Sequence, residues 1–161
     1  MRLAAAAAIV LLAGAASAAP QTPKLDLTQF FSGRSHADNV LKIAFHDPAK
    51  LIVDSVGGKG DRGDFVLVDT VHEGDKPVRT RKWVMQPAGP NHFTGSLTDA
   101  VGPVDIVVNG DAATIRYTMK NRMTVEQWLS PAGEKTVRNR MKVRRLGLVV
   151  AHFDETIRKL D

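Results

Sequence analysis

The sequence predicts an all-β fold, an antiparallel up-and-down meander that closes into a β-barrel of about 8–10 strands. From Arg34 onward, apolar and polar residues alternate with a period of two, and Gly, Pro or Asn turn signals separate the alternating runs. Helical periodicity is confined to a short stretch before this point. Strands that follow one another in this way pair as hairpins, and closure into a barrel removes the exposed edges of the sheet. Residues 20–161 are therefore expected to form one barrel domain.

Residues 1–19 have the pattern of a secretory signal peptide. Met1-Arg2 is a short basic start, Leu3 to Ala16 is apolar, and Ala16-Ser17-Ala18 is a small-x-small cleavage pattern. A membrane anchor is the alternative, but the apolar run is shorter than the roughly 20 residues that span a bilayer. The chain contains no cysteine, so disulfides, thiolate metal sites and lipid attachment after the signal are excluded. The sequence therefore predicts a soluble protein exported to a bacterial periplasm.

A short helical turn is predicted ahead of the first strand. Asp26 is the N-cap candidate, because its side chain can accept a hydrogen bond from the first turn. Leu27, Phe30 and Phe31 supply apolar contacts, and Gly33 ends the turn.

Ten strands are predicted after this turn, with boundaries uncertain by ~2–4 residues. They lie at 34–45, 50–57, 64–73, 77–86, 91–98, 103–109, 111–120, 122–130, 135–145 and 148–158. The last segment has an alternative, because Phe153, Ile157 and Leu160 also fit one face of a helix. The sequence therefore leaves a terminal helix as an alternative to the last strand.

The clearest hairpin spans Asp99 to Met119. Asn109-Gly110 separates two alternating runs and predicts a type I′ turn, in which both central residues need positive φ. The face expected to point into the barrel carries Val104, Ile106, Val108, Ala113, Ile115, Tyr117 and Met119. Two later strands are expected to point Met123, Val125, Gln127, Leu129, Val137, Met141 and Val143 the same way.

Aromatic and apolar side chains within the strands are candidate ligand contacts. A small barrel fills its interior with such side chains, whereas a larger one encloses an apolar cavity with a few polar groups. The sequence leaves both possibilities open. If a cavity exists, the predicted ligand-binding residues are Trp83, Phe93, Ile106, Ile115, Tyr117 and Trp128.

A row of basic residues is predicted on the outer face of the later strands. It consists of Arg116, Arg138, Arg140, Lys142 and Arg144. One hypothesis is that the row binds an anionic surface such as lipid phosphate. The alternative is a solvated outer face with Glu126 and Glu134 as counter-ions, which we favour because exposed ion pairs contribute little free energy.

No motif for catalysis, metal binding or nucleic-acid binding is found. The five histidines are scattered singly, without the H-x-H or H-E-x-x-H spacing that places two nitrogens on one metal. A G-x-S-x-G nucleophile elbow is missing as well. The net charge of +5 is not concentrated in a basic patch interleaved with aromatic residues, as nucleic acid would require. We therefore expect no catalytic residue, no cofactor, no metal, no nucleic-acid partner and no transmembrane segment in the mature chain.

Several segments together resemble a known family. They are Phe30-Phe31-Ser32-Gly33, Arg81-Lys82-Trp83, Phe93-Thr94-Gly95, Asp99-Ala100-Val101-Gly102, Asn109-Gly110-Asp111-Ala112, Arg116-Tyr117, Glu126-Gln127-Trp128-Leu129, Val137-Arg138-Asn139-Arg140-Met141 and Arg145-Leu146-Gly147. The set is similar to that of proteobacterial envelope proteins grouped as domain of unknown function 3833. The resemblance implies an exported, lipocalin-like (calycin-type) barrel without an established activity. The opening Gly-x-Trp of true lipocalins would fall at Gly33-Arg34-Ser35, where tryptophan is absent.

Three functions follow from these expectations. The leading one is non-catalytic binding or carriage of an apolar or amphipathic, lipid-like small molecule in the periplasm, which is an argument by analogy with barrel architecture. The alternative is an envelope structural or interaction protein with a filled barrel and a basic outer face that binds anionic surfaces. The third is an enzyme of unknown type.

Overall fold

The computed structural model of the chain describes residues 25–43 and 46–161. The described residues form one short helix, α1 (Leu27–Phe31), and ten strands: β1 (Gly33–Ile43), β2 (Ala49–Lys59), β3 (Phe65–Glu73), β4 (Arg79–Gly89), β5 (His92–Leu97), β6 (Ala100–Asn109), β7 (Ala112–Met119), β8 (Thr124–Gly133), β9 (Thr136–Arg145) and β10 (Leu148–Lys159). The predicted signal peptide lies outside the described residues, as do positions 20–24 and the last two positions of the first predicted strand.

The strands form a closed antiparallel barrel in which each strand pairs with its neighbours in the chain and β1 pairs with β10. The predicted all-β, up-and-down barrel with a short N-terminal helical turn is confirmed. The last segment is a strand and not a helix, because it hydrogen-bonds to β9 on one side and to β1 on the other. The residues that would have shared one face of a helix lie in different environments. Ile157 is buried, whereas Leu160 lies beyond the strand and is 53% exposed.

The seam between β1 and β10 is made of two separate stretches of ladder. One joins Ser35–Ala37 to Ile157–Lys159, and the other joins Lys42 and Ile43 to His152 and Ala151. Between these stretches, the side chain of Asn39 reaches across the seam to Glu155 inside the barrel. Side-chain hydrogen bonding therefore bridges the middle of the seam.

Alternation with a period of two places the core inside the barrel. In most strands the odd-numbered side chains point inward, as in the burial pattern of β3. In β6 the even-numbered side chains do so, because even-numbered residues of β6 pair with odd-numbered residues of both neighbouring strands, as Ile106 does with Phe93 and Ile115. Val104 and Ile106 are consequently the most deeply buried side chains of that strand, with 0% exposure. The inward face predicted for the hairpin is confirmed.

Helix α1 covers one end of the barrel. Asp26 caps it as predicted, since its carboxylate accepts a hydrogen bond from the Gln29 amide at 2.9 Å. Leu27 and Phe31 are buried against the barrel, and the φ of +87° at Gly33 turns the chain into β1. We call this end the α1 end and the opposite end the open end.

The β6–β7 hairpin differs from the sequence-based prediction in its turn. Asn109 pairs with Ala112, so the two loop residues are Gly110 and Asp111. Gly110 has a φ of +64°, and Asp111 is not among the residues with positive φ. This is the pattern of a type II′ turn, which needs glycine at its first central position. The hairpin is confirmed, and the type I′ turn centred on Asn109-Gly110 is wrong by one residue.

Candidate ligand-binding cavity

The barrel is hollow over most of its length. Its cavity has a volume of about 430 Å³, which falls in the range of about 300–1,000 Å³ found for small-molecule sites. Leu27 and Phe31 line its base at the α1 end. Lys76, Asp99 and Asn121 line it at the open end, where they sit in connections between strands. The cavity therefore runs from the α1 cover to a mouth among the opposite turns.

The wall of the cavity is mostly apolar. Representative lining side chains are Leu51, Val71, Ile115, Val125, Leu129 and Ile157. By contrast, Phe65, Val104, Ile106, Ala113 and Val137 are buried without lining the cavity, so the barrel is filled with side chains there.

A buried polar group on β3 interrupts the apolar wall. Asp69 is only 5% exposed although it carries a carboxylate. Its Oδ1 accepts a hydrogen bond from Ser55 Oγ at 2.8 Å, and its Oδ2 accepts one from Trp83 Nε1 at 2.8 Å. These bonds satisfy the indole N–H, which a buried tryptophan has to place on an acceptor.

Tyr117 lies next to this group. Its ring meets Trp83 edge to face, with centroids 5.6 Å apart. Its hydroxyl accepts hydrogen bonds from Gln127 Nε2 at 3.1 Å and from Arg81 Nη2 at 3.4 Å. Burial raises the pKa of the Tyr117 hydroxyl above its ordinary value, against the opposing charge of Arg81. The phenol is therefore neutral and able to donate a hydrogen bond into the cavity.

Ion pairs hold the basic side chains at the mouth. Arg79 Nη1 lies 2.9 Å from Asp99 Oδ2, and Arg81 Nε lies 3.1 Å from the same oxygen. Lys76 pairs with Glu73, which also lies 3.8 Å from Arg79. The Arg81 guanidinium additionally lies 5.3 Å from the centroid of the Trp83 ring, a cation–π contact. Each of these cations already has an acidic partner.

A second buried carboxyl group lies on β10. Glu155 Oε2 accepts a hydrogen bond from Asn39 Nδ2 at 2.6 Å, and Oε1 accepts one from Asn139 Nδ2 at 2.7 Å. Burial raises the pKa of the Glu155 carboxyl, and the charge of Asp69 adds to this effect. The two amide hydrogen bonds and Arg81 oppose it. Desolvation dominates, so the protonated form is favoured relative to an exposed glutamate.

We predict that Glu155→Gln stabilises the protein more strongly as the pH rises. A carboxyl whose pKa is raised on folding contributes stability below its unfolded value of roughly 4.3, and this stability is lost as the pH rises through the folded pKa. The variant lacks this loss, so its advantage over wild type should grow between about pH 4 and about pH 8. Urea denaturation at both pH values measures it. Glu134→Gln, in an exposed turn, is the control, and an equal pH trend in both variants would contradict the prediction.

The structure brings only some of the sequence-predicted ligand contacts to the cavity. Trp83, Ile115 and Tyr117 line it. Phe93 lines a separate pocket beside α1, and Ile106 lies in the filled part of the core. Trp128 lies on the outer face with the Lys142 ammonium 5.4 Å from its ring centroid.

Several polar residues of the cavity were missed by the sequence reasoning. They are Ser55, Asp69, Arg81, Asn139 and Glu155, whereas Gln127 was predicted to point inward but not to contact a ligand. The alternation of the strands could have identified them, because each is a polar residue at an inward position. Asp69, for example, stands between the inward Leu67 and Val71.

The basic row lies on the outer face as predicted, and acidic side chains lie among it. Arg116 is 2.8 Å from Glu126, which also lies 3.4 Å from Arg144. Arg138 Nε donates to Asp154 at 2.7 Å. These ion pairs agree with a solvated outer face that carries its own counter-ions. Glu126 is one of the two predicted counter-ions, and Asp154 takes the role that was predicted for Glu134. Binding of this row, with Arg140 and Lys142, to an anionic surface stays a prediction.

Metal-binding clusters and membrane-crossing helices are both missing from residues 25–43 and 46–161. In this part of the chain, no group of three or more His, Asp or Glu side chains is placed to hold a metal ion. None of its helices has the length and apolar character needed to cross a membrane.

Comparison with known proteins identifies the family of the chain and a solved structure with a similar fold. A family model described as protein of unknown function (DUF3833) matches residues 9–159. Among solved structures, the chain is similar to a protein of unknown function from the DUF3598 family of Nostoc punctiforme, with a TM-score of 0.66 and 12% sequence identity. The match covers 90% of this chain and 53% of the other, so the chain spans about half the length of that protein. No curated protein matches the sequence.

Proposed function

Since the chain belongs to DUF3833, a family of proteins of unknown function, we propose its role from its own cavity: the barrel binds and carries a small amphipathic, lipid-like molecule. The activity is binding and not catalysis. The site is the cavity between α1 and the open end, with Trp83, Ile115 and Tyr117 among its ligand contacts.

One observation carries this proposal, namely that an apolar cavity of about 430 Å³ contains a few fixed polar groups. An apolar cavity holds water poorly and gains free energy from an apolar occupant. Polar groups at defined positions, here on Asp69, Tyr117 and Glu155, then orient the occupant. A purely structural barrel would gain stability from filling this space with side chains.

The proposed location is the bacterial periplasm, where the protein would act as a lipocalin-like carrier. The signal-peptide pattern of residues 1–19 supports export. The absence of cysteine from the sequence fits a carrier that is not anchored by lipid attachment.

We expect protein purified from a bacterial envelope extract to retain a lipid-like mass in native mass spectrometry. Ala151→Trp should abolish this adduct, because Ala151 lines the cavity and an indole there occupies the ligand space. His152→Trp is the matched control, since the neighbouring side chain is exposed on the outer face.

The proposal requires a difference between these two variants. An adduct that survives in Ala151→Trp would place the ligand elsewhere. A wild-type protein that carries no adduct, and takes up none when incubated with dodecylamine, dodecanol or dodecanoate, would overturn the carrier function.

A further inference from the structure

We propose that the carried molecule presents a hydrogen-bond-donating head group, an ammonium or a hydroxyl, to the buried acceptors of Glu155, Asn139 and Asp69. This inference rests on the proposed carrier function and specifies its ligand class. It distinguishes the barrel from a carrier of fatty acids, whose carboxylate needs hydrogen-bond donors.

The buried side chain of Asn139 presents an acceptor that has no donor. Asn139 is only 5% exposed and lines the cavity. The Asn139 amide donates from Nδ2 to Glu155 Oε1 at 2.7 Å, so its nitrogen faces Glu155 and its oxygen faces away. Within the part of the chain that the structure describes, this Oδ1 has no hydrogen-bond partner. A buried acceptor of this kind is costly unless a ligand supplies the donor.

Glu155 also has more hydrogen-bond acceptor sites than donors around it. Its two oxygens accept one bond each, from Asn39 and Asn139, and each oxygen keeps a further lone pair. The second orphan acceptor of this group is Asn39 Oδ1, which is also buried and without a partner among the described residues. Acceptors therefore outnumber donors around Glu155.

The charges of the cavity also favour a head group that donates hydrogen bonds. Three basic side chains are among the described residues that line it, and all three pair with Glu73 or Asp99 near the mouth. Asp69 and Glu155 lie deeper, and among the described residues neither forms an ion pair with a cation. An ammonium would complement these two carboxyl groups, and a hydroxyl would donate to one of them. A carboxylate head group only accepts hydrogen bonds, so it would bring no donor to Asn139 Oδ1 or to Asp69.

The experiment uses three amphiphiles with the same alkyl chain: dodecylamine, dodecanol and dodecanoate. Trp128→Phe removes the outer-face indole and leaves Trp83, which lines the cavity, as the fluorescent reporter. In this background we expect dodecylamine or dodecanol to bind at least about tenfold more tightly than dodecanoate. Tighter binding of the amine identifies an ammonium, and tighter binding of the alcohol identifies a hydroxyl.

Variants locate the head group. Glu155→Gln should weaken dodecylamine binding by about tenfold, because it removes a charge-assisted hydrogen bond. Asp154→Asn is the matched control, since that neighbouring carboxylate lies on the outer face, and it should leave all three affinities unchanged. Asn139→Leu tests the orphan oxygen separately and should weaken binding of the preferred amphiphile.

The outcomes separate this inference from the carrier function. Dodecanoate binding as tightly as the other two would overturn the donor head group and leave the carrier intact. Affinities unchanged in both Glu155→Gln and Asn139→Leu would overturn the assignment to these residues. Failure of all three amphiphiles to bind would overturn the carrier function itself.

Discussion

Replacing Trp83 with alanine is expected to lower the free energy of unfolding by about 3–5 kcal/mol. The indole is 7% exposed, contacts the Tyr117 ring edge to face and donates its N–H to Asp69. Its removal enlarges the cavity and leaves the Asp69 carboxylate with one buried donor fewer. Urea denaturation monitored by circular dichroism measures the loss.

Trp128→Ala provides the matched comparison. Trp128 is half-buried on the outer face, where truncation opens no internal cavity. Its cost should be well below that of Trp83→Ala, because exposed or half-exposed substitutions usually change stability little. Equal losses in the two variants would contradict the assignment of Trp83 to the cavity wall.

Replacing Gly57 with alanine is expected to lift α1 from the end of the barrel. A Cβ at this position would stand 2.2 Å from the carbonyl oxygen of Phe31 and 3.0 Å from side-chain atoms of Leu67 and Phe65. The backbone oxygen has to move, at a cost of about 1–3 kcal/mol typical of overpacking. Ligand binding should weaken as well, because Leu27 and Phe31 form the base of the cavity. Hydrogen exchange of residues 27–31 and the melting temperature report the change.

Gly58→Ala is the control for this experiment. A Cβ at Gly58 has no described atom within 4 Å, so alanine fits there without displacing α1. Its effect should be neutral or slightly stabilising, because alanine restricts the unfolded chain. Faster exchange in α1 for both variants would show that close approach at Gly57 does not hold the cover in place.

The fold was predictable because its determinants are local. Alternation of Val104 and Ile106 with polar neighbours specifies a strand with one buried face. Gly110 specifies a tight connection, although it left the central pair of the turn ambiguous by one residue. Asp26 specifies the start of α1 through a bond to an amide three residues away. Each inference needed only a short window of sequence.

The candidate site depends on residues that are distant in the chain. Glu155 meets Asn39 across 116 positions, and this contact exists only when β10 pairs with β1. The hollow interior likewise depends on ten strands closing together, because the width of a barrel grows with strand number.

Trp128 shows a different limit of the sequence reasoning. It was selected for its aromatic character, whereas its position in β8, two residues from Glu126, places it on the outer face. The face of a strand was therefore a better guide to the cavity than residue type.

Because β10 completes the barrel by pairing with β1, the closing contacts join the two ends of the described chain, as in the pair Ser35 and Lys159. Contacts of such long sequence separation form late and slow the folding of β proteins. Until they form, β1 and β10 are open edges beside an apolar face exposed to water, which favours aggregation. The wall proposed to receive a lipid-like molecule is thus also the surface that a half-closed sheet has to protect during folding.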